Sequence, residues 1–142
     1  MKISSPEFDH NGMIPKKFTC DGQDVNPVLE IDDIPEQTKS MVLIVDDPDA
    51  PMGTWVHWVV YDMSVLNRIE EGQVPGKQGM NDFGKKDYGG PCPPSGTHRY
   101  FFKIYALDRK LGLEEGVTKE EVEKMMQINI LAHTELIGLY ER

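Results

Sequence analysis

Two histidines lie in the two segments of the chain that are most typical of β-strands. His57 stands in the aromatic run Trp55-Val-His-Trp58, and His98 opens the run His-Arg-Tyr-Phe-Phe102. Imidazole titrates near neutral pH, so it can donate a hydrogen bond, accept one or take up a proton. Two imidazoles among aromatic side chains, each close to a proline-rich loop, predict a pocket lined by polar groups.

The alternation of side chains along a strand sorts the first run by face. Trp55, His57 and Val59 are expected on one face, and Val56 and Trp58 on the other. The sequence therefore predicts that Trp55 and His57 line the same surface.

The same alternation places His98 with Tyr100 and directs Arg99 away from them. Asp47 and Asp49 follow the end of another strand-like run. A carboxylate at that end could hydrogen-bond an imidazole and raise its pKa. Histidine and aspartate ringed by aromatic side chains predict a site for an anion.

Glycine, proline, asparagine and aspartate recur every 8 to 15 residues between runs rich in β-branched and aromatic residues, which is typical of an antiparallel, mainly β domain. Asn26-Pro27 favours an extended Asn26. The expected strands are Lys2 to Glu7, Lys17 to Thr19, Val28 to Ile31, Ser40 to Asp46, Thr54 to Tyr61, His98 to Ala106 and Glu135 to Tyr140.

One helix is predicted from Thr118 to about Asn129. Thr118 and Glu121 have the spacing of a capping box, and Val122, Met125 and Met126 follow at helical spacing. The two methionines are expected to pack against a sheet. A second, weaker helical turn is predicted around residues 65–71.

The segment from Gly72 to Thr97 is long for a loop in a compact domain, and such loops are usually functional or mobile. Its tract Pro91-Cys-Pro-Pro94 predicts a pocket wall, with a cis peptide bond before Pro94 as a plausible device.

Length and composition limit the classes of protein. A chain of 142 residues fits one domain, here residues 1–142, and it has no apolar run long enough to span a bilayer. Its start lacks the apolar stretch of a signal peptide, so we expect a cytoplasmic protein. The net charge of −9 opposes binding to nucleic acid and to anionic membranes.

The two cysteines, Cys20 and Cys92, have neither a CxxC spacing nor further cysteines beside them. Zinc-ribbon and redox motifs are therefore excluded. Two reduced thiols are the favoured expectation, and one disulfide is the alternative.

Three ordered motifs resemble the phosphatidylethanolamine-binding proteins, also called Raf kinase inhibitor proteins. They are Asp47-Pro-Asp-Ala-Pro51, Trp55-Val-His57 and Gly90-Pro-Cys-Pro-Pro-Ser-Gly-Thr-His-Arg-Tyr100. Short loops, Asn81-Asp-Phe-Gly84 and the C-terminal Leu136-Ile-Gly-Leu-Tyr-Glu-Arg142 are similar to the bacterial and archaeal branch. The resemblance covers essentially the whole chain.

The resemblance implies a β-sandwich, with a large central antiparallel sheet packed on a smaller one and one or two short helices. It also implies an anion pocket at one end, to which a backbone amide at Cys92 contributes, where eukaryotic members have glycine. The eukaryotic members' longer segment between Pro51 and Trp55 and their C-terminal helix are missing here. The ligand-binding residues that the resemblance and the residue pattern indicate are Asp47, Pro51, Trp55, His57, Gly90, Cys92, Pro94, His98 and Tyr100.

The leading functional hypothesis is a non-enzymatic binding protein without a cofactor or a metal. Its ligand would be a phosphate, phosphoryl head group or carboxylate, and it would regulate or inhibit a protein partner such as a kinase or a protease. Prokaryotic relatives are often dimers, and exposed aromatic residues around Trp58 or in the long loop would suit a homodimer contact.

A hydrolase is the first alternative, with Cys92 or Ser95 as nucleophile, His98 as base and Asp47 orienting it. The sequence lacks the Gly-x-Ser-x-Gly turn that presents a serine nucleophile, and prolines flank Cys92.

A metal site formed by His57, His98 and Asp47 is a second alternative, since two imidazoles and a carboxylate can bind zinc. These residues come from three separate segments, so their spacing gives no support. A protease inhibitor that uses the exposed Pro/Gly loop is a third alternative, and nothing in the sequence selects a protease.

Overall fold

Two β-sheets and one α-helix make up the protein in a computed structural model that describes residues 1–142. The mainly β architecture expected from the sequence is confirmed. The strands are β1 (Lys2–Ser4), β2 (Gly12–Met13), β3 (Leu29–Asp32), β4 (Ser40–Asp47), β5 (Trp55–Met63), β6 (Arg68–Ile69), β7 (Lys77–Gln78), β8 (Thr97–Leu107) and β9 (Ile130–Glu141).

The large sheet has six strands in the order β2-β9-β8-β4-β5-β7, and the small sheet has the order β1-β3-β6. Every pair is antiparallel except β2 and β9, which are parallel. Strand β4 lies between β5 and β8, and all of its eight residues are buried. Burial on both faces explains its nearly continuous apolar sequence.

Apolar side chains form two clusters, one on each face of the large sheet. The inter-sheet core fills the space between the sheets and contains Ile3, Phe8, Ile14, Phe18, Leu29, Ile31, Met41, Leu43, Val45, Trp58, Val60, Met63, Ile69, Tyr100, Phe102, Ile104 and Leu136. The helix-side cluster contains Val42, Ile44, Val56, Val59, Tyr61, Leu107, Leu111, Val122 and Met126. Burial of this apolar surface is the main force that holds the three layers together.

The helix α1 (Lys119–Met126) begins as the sequence predicts. The Thr118 side chain accepts a hydrogen bond from the Glu121 amide at 3.2 Å, and Glu121 accepts from the Thr118 amide, so the capping box is complete. The helix ends three residues before Asn129 because β9 starts at Ile130. Only Met126 of the methionine pair is buried, since Met125 is 43% exposed.

Two short elements differ from the sequence prediction. The strand predicted from Lys17 to Thr19 is a 3₁₀ helix, Lys16–Phe18, whose end is fixed by a 2.8 Å bond from the Thr19 hydroxyl to the Lys16 carbonyl. The helical turn predicted at residues 65–71 is wrong, because Ile69 enters the inter-sheet core and β6 pairs with β3. Local propensity yields to burial in this case.

Two short strands were not predicted, and the proline-rich tract differs from its prediction. Strands β2 and β7 have two residues each, too short to produce an alternating pattern. The peptide bond before Pro94 is trans, so the proposed cis bond is wrong. No helix combines the length and the apolar character that a membrane crossing requires.

Candidate functional site

A β-bulge in β5 sets the direction of His57. Val45 is opposite Trp58 and Asp46 is opposite Val56, so His57 is an extra residue without a partner on β4. The bulge interrupts the alternation of side chains. Val59 therefore joins the helix-side cluster and does not share the surface of His57, in contrast to the simple alternation rule.

The same bulge corrects the expectation for Trp58. Trp58 lies in the inter-sheet core, 1% exposed, and its Nε1 donates a 2.7 Å hydrogen bond to the Gln78 side chain. Val56, which alternation places beside it, belongs to the helix-side cluster. Trp58 is therefore not an exposed aromatic available for a homodimer contact.

A cavity of about 270 Å³ opens where β4 ends and where β5 and β8 begin. It collects residues from both histidine segments and from two loops. Its lining consists of Asp47, Ala50, Pro51, Met52, Trp55, His57, Phe83, Cys92, Pro93, Pro94, His98 and Tyr100.

His98 forms a buried pair with Asp47 in this cavity. Nδ1 of His98 lies 2.6 Å from Oδ2 of Asp47, and the other carboxylate oxygen, Oδ1, accepts the Asp49 amide at 2.7 Å. The Asp47 carboxylate accepts the Nδ1–H of His98 whether or not the imidazole is charged. The pair fixes the ring and leaves Nε2 free of protein partners.

His57 is held by a backbone carbonyl instead of a carboxylate. Its Nδ1 lies 2.7 Å from the Gly89 carbonyl oxygen, which can only accept, so Nδ1 carries the hydrogen. Burial lowers the pKa of His57. The Gly89 hydrogen bond and the charge of Asp47 oppose this shift only in part. His57 is thus a neutral imidazole with Nε2 unprotonated.

Tyr100 brings an unused hydroxyl to the cavity. The residue is 1% exposed, and its Oη is the one fully buried side-chain nitrogen or oxygen that lacks a hydrogen-bond partner. Burial and then the charge of Asp47 raise the pKa of Tyr100, so the hydroxyl keeps its proton. A buried hydroxyl without a partner in the protein is rare, and this one is a free donor toward the cavity.

The Nε2 atoms of the two histidines also have no protein partner, yet they are not fully buried. Both therefore keep access to the cavity. The rings of His57 and Tyr100 meet edge to face at 5.2 Å, and those of His98 and Tyr100 stack at 6.5 Å. Three polar atoms free of protein partners thus converge on one cavity.

The proline-rich rim is tied down by a disulfide between Cys20 and Cys92, with Cα atoms 5.5 Å apart. The Cys20 amide also donates to the Pro91 carbonyl at 3.1 Å. The favoured expectation of two reduced thiols is therefore wrong. The fold brings Cys20, at the end of the 3₁₀ helix, against the rim, and the sequence separation of 72 residues concealed this proximity.

Comparison with known proteins identifies the family to which this fold belongs. The family model described as phosphatidylethanolamine-binding protein matches residues 4–141. The chain belongs to this family. It is 51% identical to a UPF0098 protein of Aquifex aeolicus, over 100% of the chain and 89% of the relative. It is 45% identical to a UPF0098 protein of Methanothermobacter thermautotrophicus, over 100% of the chain and 99% of the relative.

Two solved structures of the phosphatidylethanolamine-binding protein family have the same fold. A homolog from Chlamydia trachomatis has a TM-score of 0.95 at 45% identity, with 99% of this chain and 96% of that chain covered. YbcL of E. coli has a TM-score of 0.91 at 30% identity, with 99% and 98% covered. The bacterial and archaeal branch expected from the motifs is confirmed.

Within this family fold, one predicted site residue lies elsewhere. Gly90 does not line the cavity, because its amide donates to the Asp24 carboxylate at 2.7 Å. A Cβ at Gly90 would lie 2.4 Å from the Phe18 carbonyl oxygen, so this position needs glycine for close packing. Its part is structural: it holds the rim against the 3₁₀ helix.

Pro93 lies in the tract that the sequence predicted as a pocket wall, whereas the sequence did not indicate Phe83, Ala50 or Met52 as lining residues. Phe83 is the most important omission, since its ring meets those of His57 and Trp55 edge to face at 5.3 and 5.6 Å. The quoted motif Asn81-Asp-Phe-Gly84 marked this loop, but no pattern showed that the loop folds back over β5.

The charged pair beside the cavity faces outward. Arg99 binds Asp49 through two side-chain hydrogen bonds of 2.9 Å, and this contact lowers the pKa of Asp49. The position of Arg99 agrees with the alternation along β8. Its guanidinium is already occupied and does not add to the polar atoms of the cavity.

The geometry gives the alternative chemistries little support. Cys92 cannot be a thiol nucleophile, because its sulfur is bonded to Cys20. Ser95 does not line the cavity and has no hydrogen bond with His98. No three histidine, cysteine, aspartate or glutamate side chains are arranged to hold a metal ion.

Proposed function

We propose that the cavity binds a small oxyanion, namely a phosphate, a phosphoryl head group or a carboxylate, and that the protein catalyses no reaction on it. The observation that carries this proposal is the buried hydroxyl of Tyr100, which keeps its proton and has no partner in the protein. A ligand oxygen beside Oη would give this donor its acceptor.

Further contacts support an anion in preference to a neutral ligand. The Cys92 amide stands in the wall of the same cavity, close enough to the Tyr100 hydroxyl to oppose in part the rise in the pKa of Tyr100. The Asp47 carboxylate is hydrogen-bonded to His98 at 2.6 Å and to the Asp49 amide at 2.7 Å. An incoming oxyanion would meet two uncharged donors, and two imidazoles that can each donate from Nε2 once protonated, at the positions that the family resemblance implies.

A regulatory role toward a protein partner, such as a kinase or a protease, is the second part of the proposal. Apolar side chains surround the mouth of the cavity, with Met52 95%, Trp55 37% and Phe83 41% exposed. A millimolar phosphate contact supplies only about 4 kcal/mol. A partner that presents a phosphoryl group could add affinity by covering this apolar rim.

The oxyanion proposal is tested by calorimetric titration with inorganic phosphate. Tyr100→Phe removes the unpartnered hydroxyl, so we expect about tenfold weaker binding, the range of one hydrogen bond to a charged group. Tyr105→Phe is the matched control, because Tyr105 lies on the same strand and does not line the cavity. Equal affinities for the wild type and Tyr100→Phe would contradict the proposal.

The partner proposal requires peptides that differ only in a phosphoryl group. Wild-type protein should bind a phosphoserine peptide at least tenfold more tightly than the unmodified peptide, and Met52→Ser should weaken binding of the peptide more than binding of free phosphate. Equal binding of both peptides would show that the cavity does not take part in recognition.

A homodimer is the third part of the proposal, carried over from the family resemblance alone. Light scattering coupled to size-exclusion chromatography measures it directly, against a chain mass of 16.1 kDa. A mass of one chain at millimolar protein would contradict it.

A further inference from the structure

The hydrogen bond of His57 fixes what its free nitrogen can do. Because Nδ1 donates to the Gly89 carbonyl at 2.7 Å, Nε2 of the neutral ring has a lone pair and faces the cavity as an acceptor. An oxyanion oxygen is an acceptor too. The two atoms repel each other unless one proton lies between them.

The surroundings of His57 supply no such proton. Tyr100 can offer only the hydrogen of its own hydroxyl, and Asp47 is hydrogen-bonded to His98. The other neighbours, Trp55 and Phe83, are aromatic walls of the cavity. The neighbouring carboxylate of Asp46 is held at 3.0 Å by Lys103 and by Lys119 on the far side of the sheet.

The two imidazoles of the cavity are not equivalent in this respect. His98 touches a carboxylate, whereas His57 touches only a carbonyl and aromatic rings. His57 thus has no counter-charge in contact before a ligand arrives. A bound oxyanion supplies that counter-charge, which favours the imidazolium form.

We infer that the cavity binds a phosphomonoester together with one proton, which is held between a ligand oxygen and Nε2 of His57. This inference rests on the proposed oxyanion function. The proton comes from an O–H of solvent or of the ligand, and no bond other than the one to this proton forms or breaks.

Phosphomonoesters fit this site better than sulfate does. Their second pKa is about 6, so a phosphomonoester can share a proton with Nε2 near neutral pH. Sulfate stays unprotonated there, so an imidazole would have to carry the proton. The cavity should therefore discriminate in favour of phosphomonoesters, and the discrimination should grow as the pH rises to about 6 and stay constant above it.

The test is calorimetry with methyl phosphate and with sulfate at pH 5, 6, 7 and 8, each in two buffers that differ in ionisation enthalpy. At pH 7 and 8 we expect uptake of about one proton per methyl phosphate bound, and an affinity that falls up to about tenfold per pH unit. Sulfate should lose its affinity at a lower pH than methyl phosphate does.

The variant His57→Gln offers an amide N–H that does not titrate, so it should bind methyl phosphate without proton uptake. His133→Gln is the matched control, since His133 is exposed on β9 and distant from the lining residues. If His57→Gln does not fold, ¹⁵N NMR of wild-type His57 gives the same information, because Nε2 should gain a proton on binding.

The outcomes separate the inference from the proposed function. Binding of methyl phosphate with equal affinity from pH 6 to pH 8, without proton uptake, would overturn the inference and leave oxyanion binding intact. Proton uptake that persists unchanged in His57→Gln would also overturn it. An absence of binding at pH 6 would overturn both.

Discussion

His57 is a buried, neutral imidazole, and its charge state couples the cavity to the stability of the fold. Burial lowers its pKa in the folded protein below the ordinary value of 6.5. As the pH falls through 6.5, the imidazole takes up a proton in the unfolded chain but stays neutral in the folded protein. The free energy of unfolding is therefore unaffected above this pH and decreases below it.

The pH dependence of unfolding should consequently change when His57 is replaced. Between pH 7.5 and pH 5.5 in urea, we expect the wild type to lose more stability than His57→Gln does, by up to about 1.4 kcal/mol per pH unit below 6.5. The exposed His133 is the control, and His133→Gln should match the wild type. Parallel curves for the wild type and His57→Gln would contradict a lowered pKa at His57.

Individual site residues could be predicted from the sequence where regular strands carry them. His98 and Tyr100 share a surface because β8 alternates without interruption up to Ala106. Trp55 and His57 share a surface as well, but the bulge at His57 could not be predicted from the sequence. The Gly89 carbonyl that sets the tautomer comes from a loop, for which no periodic rule exists.

At the scale of elements, the loop from Asn81 to Gly89 forms one wall of the cavity. The buried Asn81 side chain organises it: Oδ1 accepts the amides of Phe83 and Lys85 at 2.9 and 3.0 Å, and Nδ2 donates to the Asp87 carbonyl at 2.8 Å. Phe83 is therefore positioned over His57 by a side chain that lies outside the cavity.

Replacement of Asn81 by alanine should loosen this wall. Loss of these hydrogen bonds is expected to cost about 2–3 kcal/mol in the free energy of unfolding and to weaken phosphate binding several-fold. Urea unfolding and calorimetry measure the two effects, and Asn129→Ala, in the connection between α1 and β9, is the control. Unchanged phosphate affinity in a destabilised Asn81→Ala would show that Phe83 does not shape the site.

Long elements were predictable, and short ones were not. The capping box marked α1, and apolar runs marked β4, β5 and β8, because each pattern repeats over several residues. The 3₁₀ helix at residues 16–18 and the strands β6 and β7 have too few residues for a period. Their conformations depend on tertiary partners, as Ile69 shows by entering the inter-sheet core.

At the scale of the whole molecule, the disulfide between Cys20 and Cys92 joins two segments that are 72 residues apart. A cross-link over such a loop restricts the unfolded chain and contributes about 2–4 kcal/mol. Disulfides are typical of oxidising compartments and also occur inside cells of hyperthermophiles. The cytoplasmic location stays a prediction, which cell fractionation would test.

Reduction of the disulfide should lower the melting temperature by roughly 6–12 °C. The double variant Cys20→Ala with Cys92→Ala should melt near the temperature of the reduced wild type, and it should not respond to reductant. Calorimetric scans with and without dithiothreitol measure this directly. Identical melting of the oxidised and the reduced protein would show that the cross-link does not stabilise the fold.

In the proposed function, two imidazoles and one hydroxyl meet an oxyanion in a single cavity. The most direct test is ¹H–¹⁵N NMR of the histidine side chains in the wild-type protein during titration with inorganic phosphate at pH 6.5. Nε2 of both His57 and His98 should shift together with a millimolar Kd, while His10 and His133 should not. No shift at His57 and His98 in millimolar phosphate would contradict the claim.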